Sequence, residues 1–190
     1  RHRFGINESD LPTLDRWIQG AGIRWGLDAA QRASLDLPGG MEQNTWRFGL
    51  RRMLLGYAVG QGDSFDGIEP YDEIGGLDAA LIGPLVGLLD ALDATRDQLA
   101  ADADPAMWVA RLRTMLARFF LADDDRDLVQ LGRLEQLLED WETICDSVGL
   151  TERLPLTVVR EAWLQALDQG RLDQGFLAGG VHFCTLVPMR

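Results

Sequence analysis

Apolar residues recur at helical spacing along most of this chain. Between Glu8 and Gly20 the residues Leu11, Leu14, Trp17 and Ile18 fall on one face. That predicts a first helix, capped by Asn7 or Ser9 and ended by Gly20 and Gly22. The stretch Asn44–Tyr57 predicts the next strong helix. Trp46, Leu50, Met53, Leu54 and Tyr57 form its apolar stripe, and Asn44 or Thr45 can cap its start. Leu77–Ala101 carries leucines 77, 81, 85, 88 and 92 at helical spacing. Pro84 lies inside it, which predicts a kink or a short first piece, because proline lacks the amide and clashes one turn back. Asp104-Pro105 opens another helix, with Trp108, Leu112, Met115, Leu116 and Phe119 on one face. Asp123-Asp124-Asp125 opens a further one, striped by Leu128, Leu131, Leu134, Leu138, Trp141 and Cys145. Pro155–Gln169 predicts the last helix, with Val159, Trp163 and Leu167 inward and Gly170 as its stop.

The connections differ in kind. Gly22–Gly26 is a tight link carrying Arg24 and Trp25. Leu27–Gln43 is mixed and ends in the loop signal Pro38-Gly39-Gly40. Gly60–Gly76 holds five glycines and one proline without helical period, and predicts a long surface loop. Beyond Gly179-Gly180 the residues Val181–Val187 are β-branched and apolar and meet Pro188. They predict a strand, whose partners have no equal upstream. The fold class expected is therefore mainly α with one short C-terminal strand.

Composition narrows the function. The chain has 190 residues, enough for one domain, or one domain plus a tail. Net charge is −12, whereas a free-standing nucleic-acid binder is usually basic. Any DNA contact must then be local, or made by the rest of a larger complex. All 18 basic residues are arginine. Without lysine there can be no P-loop, since its ammonium must reach the outer phosphates. Two cysteines, Cys145 and Cys184, make no disulfide framework, and a reducing cytoplasm is expected. No run of 18 apolar residues predicts a membrane span, and the start lacks the apolar run of a signal peptide.

Candidate chemistry is sparse. On the helix Asn44–Tyr57, Arg47 and Arg51 share a face and Arg52 lies beside them. They are either a solvated face or the meeting point for a phosphate or carboxylate-rich partner. Asp72-Glu73 lacks the buried apolar run that precedes a Mg²⁺-binding strand end, and reads as loop. The aspartates of 123–127 miss the glycine and glutamate of a calcium loop, because Leu128 and Leu134 stand there, and read as a helix cap. His182 and Cys184 share a strand face but find no further metal ligands at useful spacing. No cofactor and no catalytic residue are expected.

Five segments, in order, resemble one family: Gly22-Ile23-Arg24-Trp25-Gly26, Asn44–Tyr57, Pro70-Tyr71-Asp72-Glu73, Phe176-Leu177-Ala178-Gly179 and the terminal Cys184–Arg190. The family is the RecC (gamma) subunit of exodeoxyribonuclease V, the RecBCD helicase–nuclease of bacterial double-strand break repair and recombination. Its members are much longer than this chain, so an internal fragment is implied.

The resemblance implies a superfamily 1 helicase that has lost its ATPase motifs. Residues 1–180 would be a helical accessory insertion of the 2B type, and residues 181–190 the return strand of the motor-like parent domain. In active relatives that strand carries Thr-x-His-x-x-Lys-Gly. Here Val187 stands at the histidine position and there is no lysine, which fits an inactive motor. The implied partners are RecB-like and RecD-like subunits, and DNA in the context of the complex; no membrane is implied. Candidate DNA- or partner-binding residues are Arg24, Trp25, Arg47, Arg51, Arg52 and Arg190. The competing reading is a stand-alone helical protein-interaction module with no DNA role, suggested by the acidic charge. A third, an enzyme with an unrecognised site, lacks any cluster of His, Cys or Lys.

Overall fold

The computed structural model describes residues 3–60 and 62–175, with side chains described as far as 168. Seven α-helices account for most of it: α1 (Leu11–Gly20), α2 (Ala29–Ala33), α3 (Trp46–Val59), α4 (Ile82–Ala100), α5 (Pro105–Phe119), α6 (Asp125–Ser147) and α7 (Leu156–Gly175). Among the described residues there is no β-strand, only two isolated bridges, Phe65 with Ile68 and Ala103 with Leu154. The expected strand Val181–Val187, the boundary at 180/181, the segment Phe176–Gly179 and Arg190 lie outside the described residues. The chain divides into two compact units after Arg96, within α4.

In the first unit Leu14, Trp17, Ile23, Leu50, Met53, Tyr71, Ile74, Ile82, Leu85 and Leu89 share one core. The helix starts follow capping chemistry. Thr45 Oγ1 accepts the Phe48 amide at 3.2 Å, and Asp28 Oδ1 accepts the Gln31 amide at 2.8 Å. The first helix begins as a 3₁₀ turn, Glu8–Asp10, in which the Asn7 amide donates to Asp10 Oδ2 at 2.7 Å. The short α2 was not foreseen in the mixed stretch Leu27–Gln43.

Two stripes are rotated from the expected register. On α3 the buried positions are Gly49, Leu50, Met53 and Gly56, whereas Leu54 and Tyr57 are exposed. The helix turns its glycines inward because the Ile23 side chain lies against Gly49 and the Tyr71 backbone against Gly56. A Cβ added at Gly49 would stand 2.1 Å from Ile23 Cγ1, and one at Gly56 only 1.8 Å from the Tyr71 carbonyl oxygen. On the fourth helix Ile82, Leu85 and Leu89 are buried, while Leu77 is 95% exposed and Leu92 is also outside. The cause is the short first piece, a 3₁₀ turn over Gly76–Leu81. Three residues per turn instead of 3.6 shift the phase of everything that follows. Pro84 then falls in the first turn of α4, where its missing amide has no intrahelical partner to lose.

The loop Gly60–Gly76 is not confined to the surface. Tyr71 and Ile74 are buried in the core, and the Tyr71 amide donates to the Arg52 carbonyl at 3.0 Å.

The second unit follows its periodicity closely. Trp108, Val109, Leu112 and Leu116 of α5 meet Leu138 of α6 and Val159 of α7 in one core, with Trp141 and Trp163 partly buried against it. Asp104 Oδ1 accepts the Met107 amide and Asp124 Oδ1 the Asp127 amide, each at 2.8 Å, so the acidic run 123–127 opens a helix as its sequence suggests. The approaches to α5 and α7 are stitched together. Ala103 and Leu154 exchange amide bonds at 3.2 and 2.8 Å, and the Trp108 indole donates to the Leu154 carbonyl at 2.8 Å. Gly170 does not stop the last helix, which runs on to Gly175. Leu128 is exposed at the start of α6, where the expected stripe has not yet met a neighbour.

Candidate functional site

The arginines of α3 are each held by the chain itself. Arg47 donates to Asp90 at 3.2 Å and Asp93 at 3.0 Å, with Asp28 at 3.9 Å. The hydrogen bond to Asp93 is the main reason its already high pKa is raised further. Arg51 pairs with Glu42. Two guanidiniums thus face four carboxylates, along an open groove of about 590 Å³ floored by Leu50, Leu54 and Val86. That balance leaves little positive potential for a phosphate.

Arg52 lies on another flank of α3 and acts as a clamp. Its Nη1 donates to the Ala21 carbonyl at 2.8 Å and its Nε to the Glu69 carbonyl at 2.9 Å. The Glu69 carboxylate is 3.9 Å from its Nη2. This guanidinium joins the end of α1 to the loop Gly60–Gly76.

Arg24 and Trp25 stand apart from these. Their amides both donate to the Asn44 carbonyl, at 2.9 and 3.3 Å, which fixes the link Gly22–Gly26 beside the start of α3. The Gly26 and Leu27 carbonyls in turn accept the Trp46 and Arg47 amides at 2.9 Å. The first free amides of α3 are thereby used internally. Arg24 is exposed, and its guanidinium comes no nearer than 3.5 Å to the Ile23 carbonyl. Trp25 is 48% exposed.

Arg32 was missed by sequence reasoning. It is buried, and it donates to the carbonyls of Met41 at 3.0 Å, Gln43 at 2.8 Å and Trp25 at 2.7 Å. Its guanidinium also lies 4.5 Å from the centre of the Trp25 ring, a cation–π contact on one face of the indole. Nothing local in Asp28–Ser34 announces this, because every acceptor lies in another loop. The consequence is that Trp25 is propped from below while still reaching solvent.

Of the expected residues, the fold places Arg24 and Trp25 on one exposed turn, Arg47 and Arg51 along the groove, and Arg52 inside a clamp. It does not gather them into a single basic strip. Among the described residues no group of three or more His, Cys, Asp or Glu side chains could hold a metal ion. No described helix is long and apolar enough to cross a membrane. Cys145 is buried, and burial pushes its thiol pKa up, which makes it a poor nucleophile. Glu73 accepts a 3.0 Å bond from the Tyr71 hydroxyl, so half of the Asp72-Glu73 pair has a structural task.

The family described as RecBCD enzyme subunit RecC fourth domain matches residues 1–171. The chain is similar to the RecBCD enzyme subunit RecC of Escherichia coli K12, at 41% identity over 99% of the chain and 17% of that protein. It is also similar to the RecC subunits of Haemophilus influenzae, at 32% identity over 100% of the chain and 16% of that protein, and of Mycolicibacterium smegmatis, at 31% over 100% and 17%. The chain thus spans only 16–17% of the length of these relatives.

Proposed function

The chain belongs to the RecC family, as its fourth domain, and on that premise we propose that it is a noncatalytic structural domain of a RecC subunit. In this reading it supports the packing of RecC with RecB-like and RecD-like subunits and helps wall the path of DNA through a cytoplasmic repair and recombination complex. It corresponds to a 2B-like accessory insertion over residues 1–180, with 181–190 returning to the motor-like parent. ATP hydrolysis and DNA cleavage belong to other subunits.

The observation that carries the reading is family membership along nearly the whole chain. The local chemistry agrees with it. The arginines of α3 are engaged by internal carboxylates and carbonyls, which is how a rigid scaffold uses charge. The outward-facing pair Arg24 and Trp25 is the local contact best suited to a strand of DNA or a partner, since an exposed indole stacks and a guanidinium pairs with phosphate. Membership of RecC leaves the stand-alone interaction module without support.

The test uses the full-length parent subunit. With Arg24→Glu and Trp25→Ala together, binding of forked DNA or of the partner subunits falls, while the parent stays folded and loses only the small stability that the contact between Arg32 and the Trp25 ring contributes. Unchanged binding of both kinds removes the surface from the proposal. ATPase activity intrinsic to the purified parent subunit would overturn the noncatalytic assignment.

A further inference from the structure

The loop between α3 and the 3₁₀ turn Gly76–Leu81 carries a feature that the scaffold reading does not use. Phe65 sits at its tip, 69% exposed. It exchanges both amide bonds with Ile68, at 3.0 and 2.9 Å, across the two residues Asp66 and Gly67. Those two have φ values of +50° and +73°, the left-handed pair that a tight hairpin turn of this length requires. An Asp-Gly dipeptide is the sequence that tolerates it.

The hairpin is held from beneath. Arg52 fixes the Glu69 carbonyl, the Tyr71 amide bonds the Arg52 carbonyl, and Tyr71 and Ile74 are in the core. A large apolar ring is therefore presented on a short clamped turn. Ordering it already belongs to folding, and little conformational freedom remains to be lost on binding.

Charge selects the partner. Between Gly60 and Gly76 there are five carboxylates and no arginine. Glu73 and Glu69 have partners inside the fold, but the Asp63 and Asp66 side chains make no ion pair or hydrogen bond among the described residues. They flank Phe65 within two positions. Phosphates would be repelled, and a nucleic acid needs basic contacts that this loop lacks.

We propose that Phe65, held on the clamped hairpin and flanked by Asp63 and Asp66, docks into an apolar pocket rimmed by arginine or lysine on a separate protein chain. The proposal deepens the scaffold reading and rests on it, by naming one anchor of the subunit contact. A buried aromatic anchor surrounded by complementary charge is the usual form of an interface hot spot.

The experiment measures association of the full-length parent subunit with its partner subunits. Phe65→Ala weakens the association about tenfold or more, and Phe65→Leu recovers part of it. Asp63→Arg with Asp66→Asn, asparagine being at ease in the left-handed turn position, also weakens it, and makes it less sensitive to added salt. The thermal midpoint of the parent alone is unchanged in every variant. Three results would overturn the proposal: unchanged affinity of the Phe65→Ala variant, a lowered midpoint of the parent alone, or loss of forked-DNA binding with subunit affinity intact. The second would place the pocket within the same chain, and the third would make Phe65 a wedge between bases. If the unsubstituted parent fails to associate at all, the scaffold reading itself falls, and the docking with it.

Discussion

The two units of the chain solve the same problem by different means. The second packs α5 against α6 and α6 against α7, with side chains that repeat at helical spacing. Its ion pairs sit outside: Arg113 reaches Glu135, Glu139 and Glu142 at 3.1, 3.6 and 3.8 Å, all of them partly exposed. The first unit has long irregular segments, and irregular backbone leaves carbonyls without ladder partners. Arginine supplies the missing donors. Arg32 satisfies three carbonyls from one buried guanidinium, and Arg52 satisfies two. A planar fork of donors does this where a single ammonium could not. Arg32 is thus a buried brace in the first unit, while in the second the arginines that reach backbone carbonyls, Arg111 to Ala101 and Arg153 to Asp102, and the ion-pairing Arg113 all stay at or near the surface.

The sharpest way to break this comparison is to alter a helix glycine in each unit. Gly56→Ala drives a Cβ into the Tyr71 carbonyl and is expected to destabilise by on the order of 4 kcal/mol or more. Gly132→Ala in α6 meets open space and is expected to stabilise by up to about 1 kcal/mol. Urea unfolding followed by tryptophan fluorescence measures both, and equal effects would end the contrast. Next comes Met53→Ala, with an expected loss of roughly 2–5 kcal/mol, because Met53 is completely buried. An unchanged thermal midpoint would remove α3 from the core.

The arginines themselves give the third test. Arg32→Gln leaves buried carbonyls unpaired and should cost about 3 kcal/mol, whereas Arg113→Gln should cost about 1 kcal/mol or less. Reversal of that order would show that the brace and the surface partner are misassigned. The last test is one of pH. Burial first, then the hydrogen bond to Glu73, pushes the Tyr71 phenol up to about 12 from an ordinary value of 10.0. The folded state then keeps a proton that the unfolded state has released. The stability from this group is full below about pH 10 and is lost as pH rises toward about 12. Tyr71→Phe should flatten that decline in an alkaline denaturation series, and an unaltered slope would show that Tyr71 does not cause it.

What could be read in advance follows the same division. Asp104-Pro105 and the stripe from Trp108 to Leu116 announce α5 because its neighbours meet it along one helical face. The Leu54 and Tyr57 side of α3 misleads, because two glycines on the adjacent face admit the Ile23 side chain and the Tyr71 backbone, and glycine carries no apolar signal of its own. The phase of α4 misleads because a 3₁₀ turn precedes it. At the candidate site, Arg24 and Trp25 stand out as residue types, and exposure leaves them available. Arg32 is invisible beforehand, since its partners are carbonyls brought in by folding. Phe65 did have a signal in Asp66-Gly67, a hairpin dipeptide inside what reads as plain loop.

The Tyr71 ring and backbone also set an order of events during synthesis. The buried face of α3 is two glycines, a leucine and a methionine, and its closest neighbour is a backbone that emerges later in the chain. Until the loop has closed and brought Tyr71 back, α3 has only Leu14, Trp17, Ala21 and Ile23 of the shared core available to it, and Leu85 and Leu89 are needed as well to complete that core. A nascent chain stopped before Tyr71 is therefore expected to expose Leu50 and Met53 and to be readily cut by protease, while one extended past Leu89 is protected. For the first unit, consolidation waits for the loop that carries Tyr71 and for the opening turns of α4 that follow it.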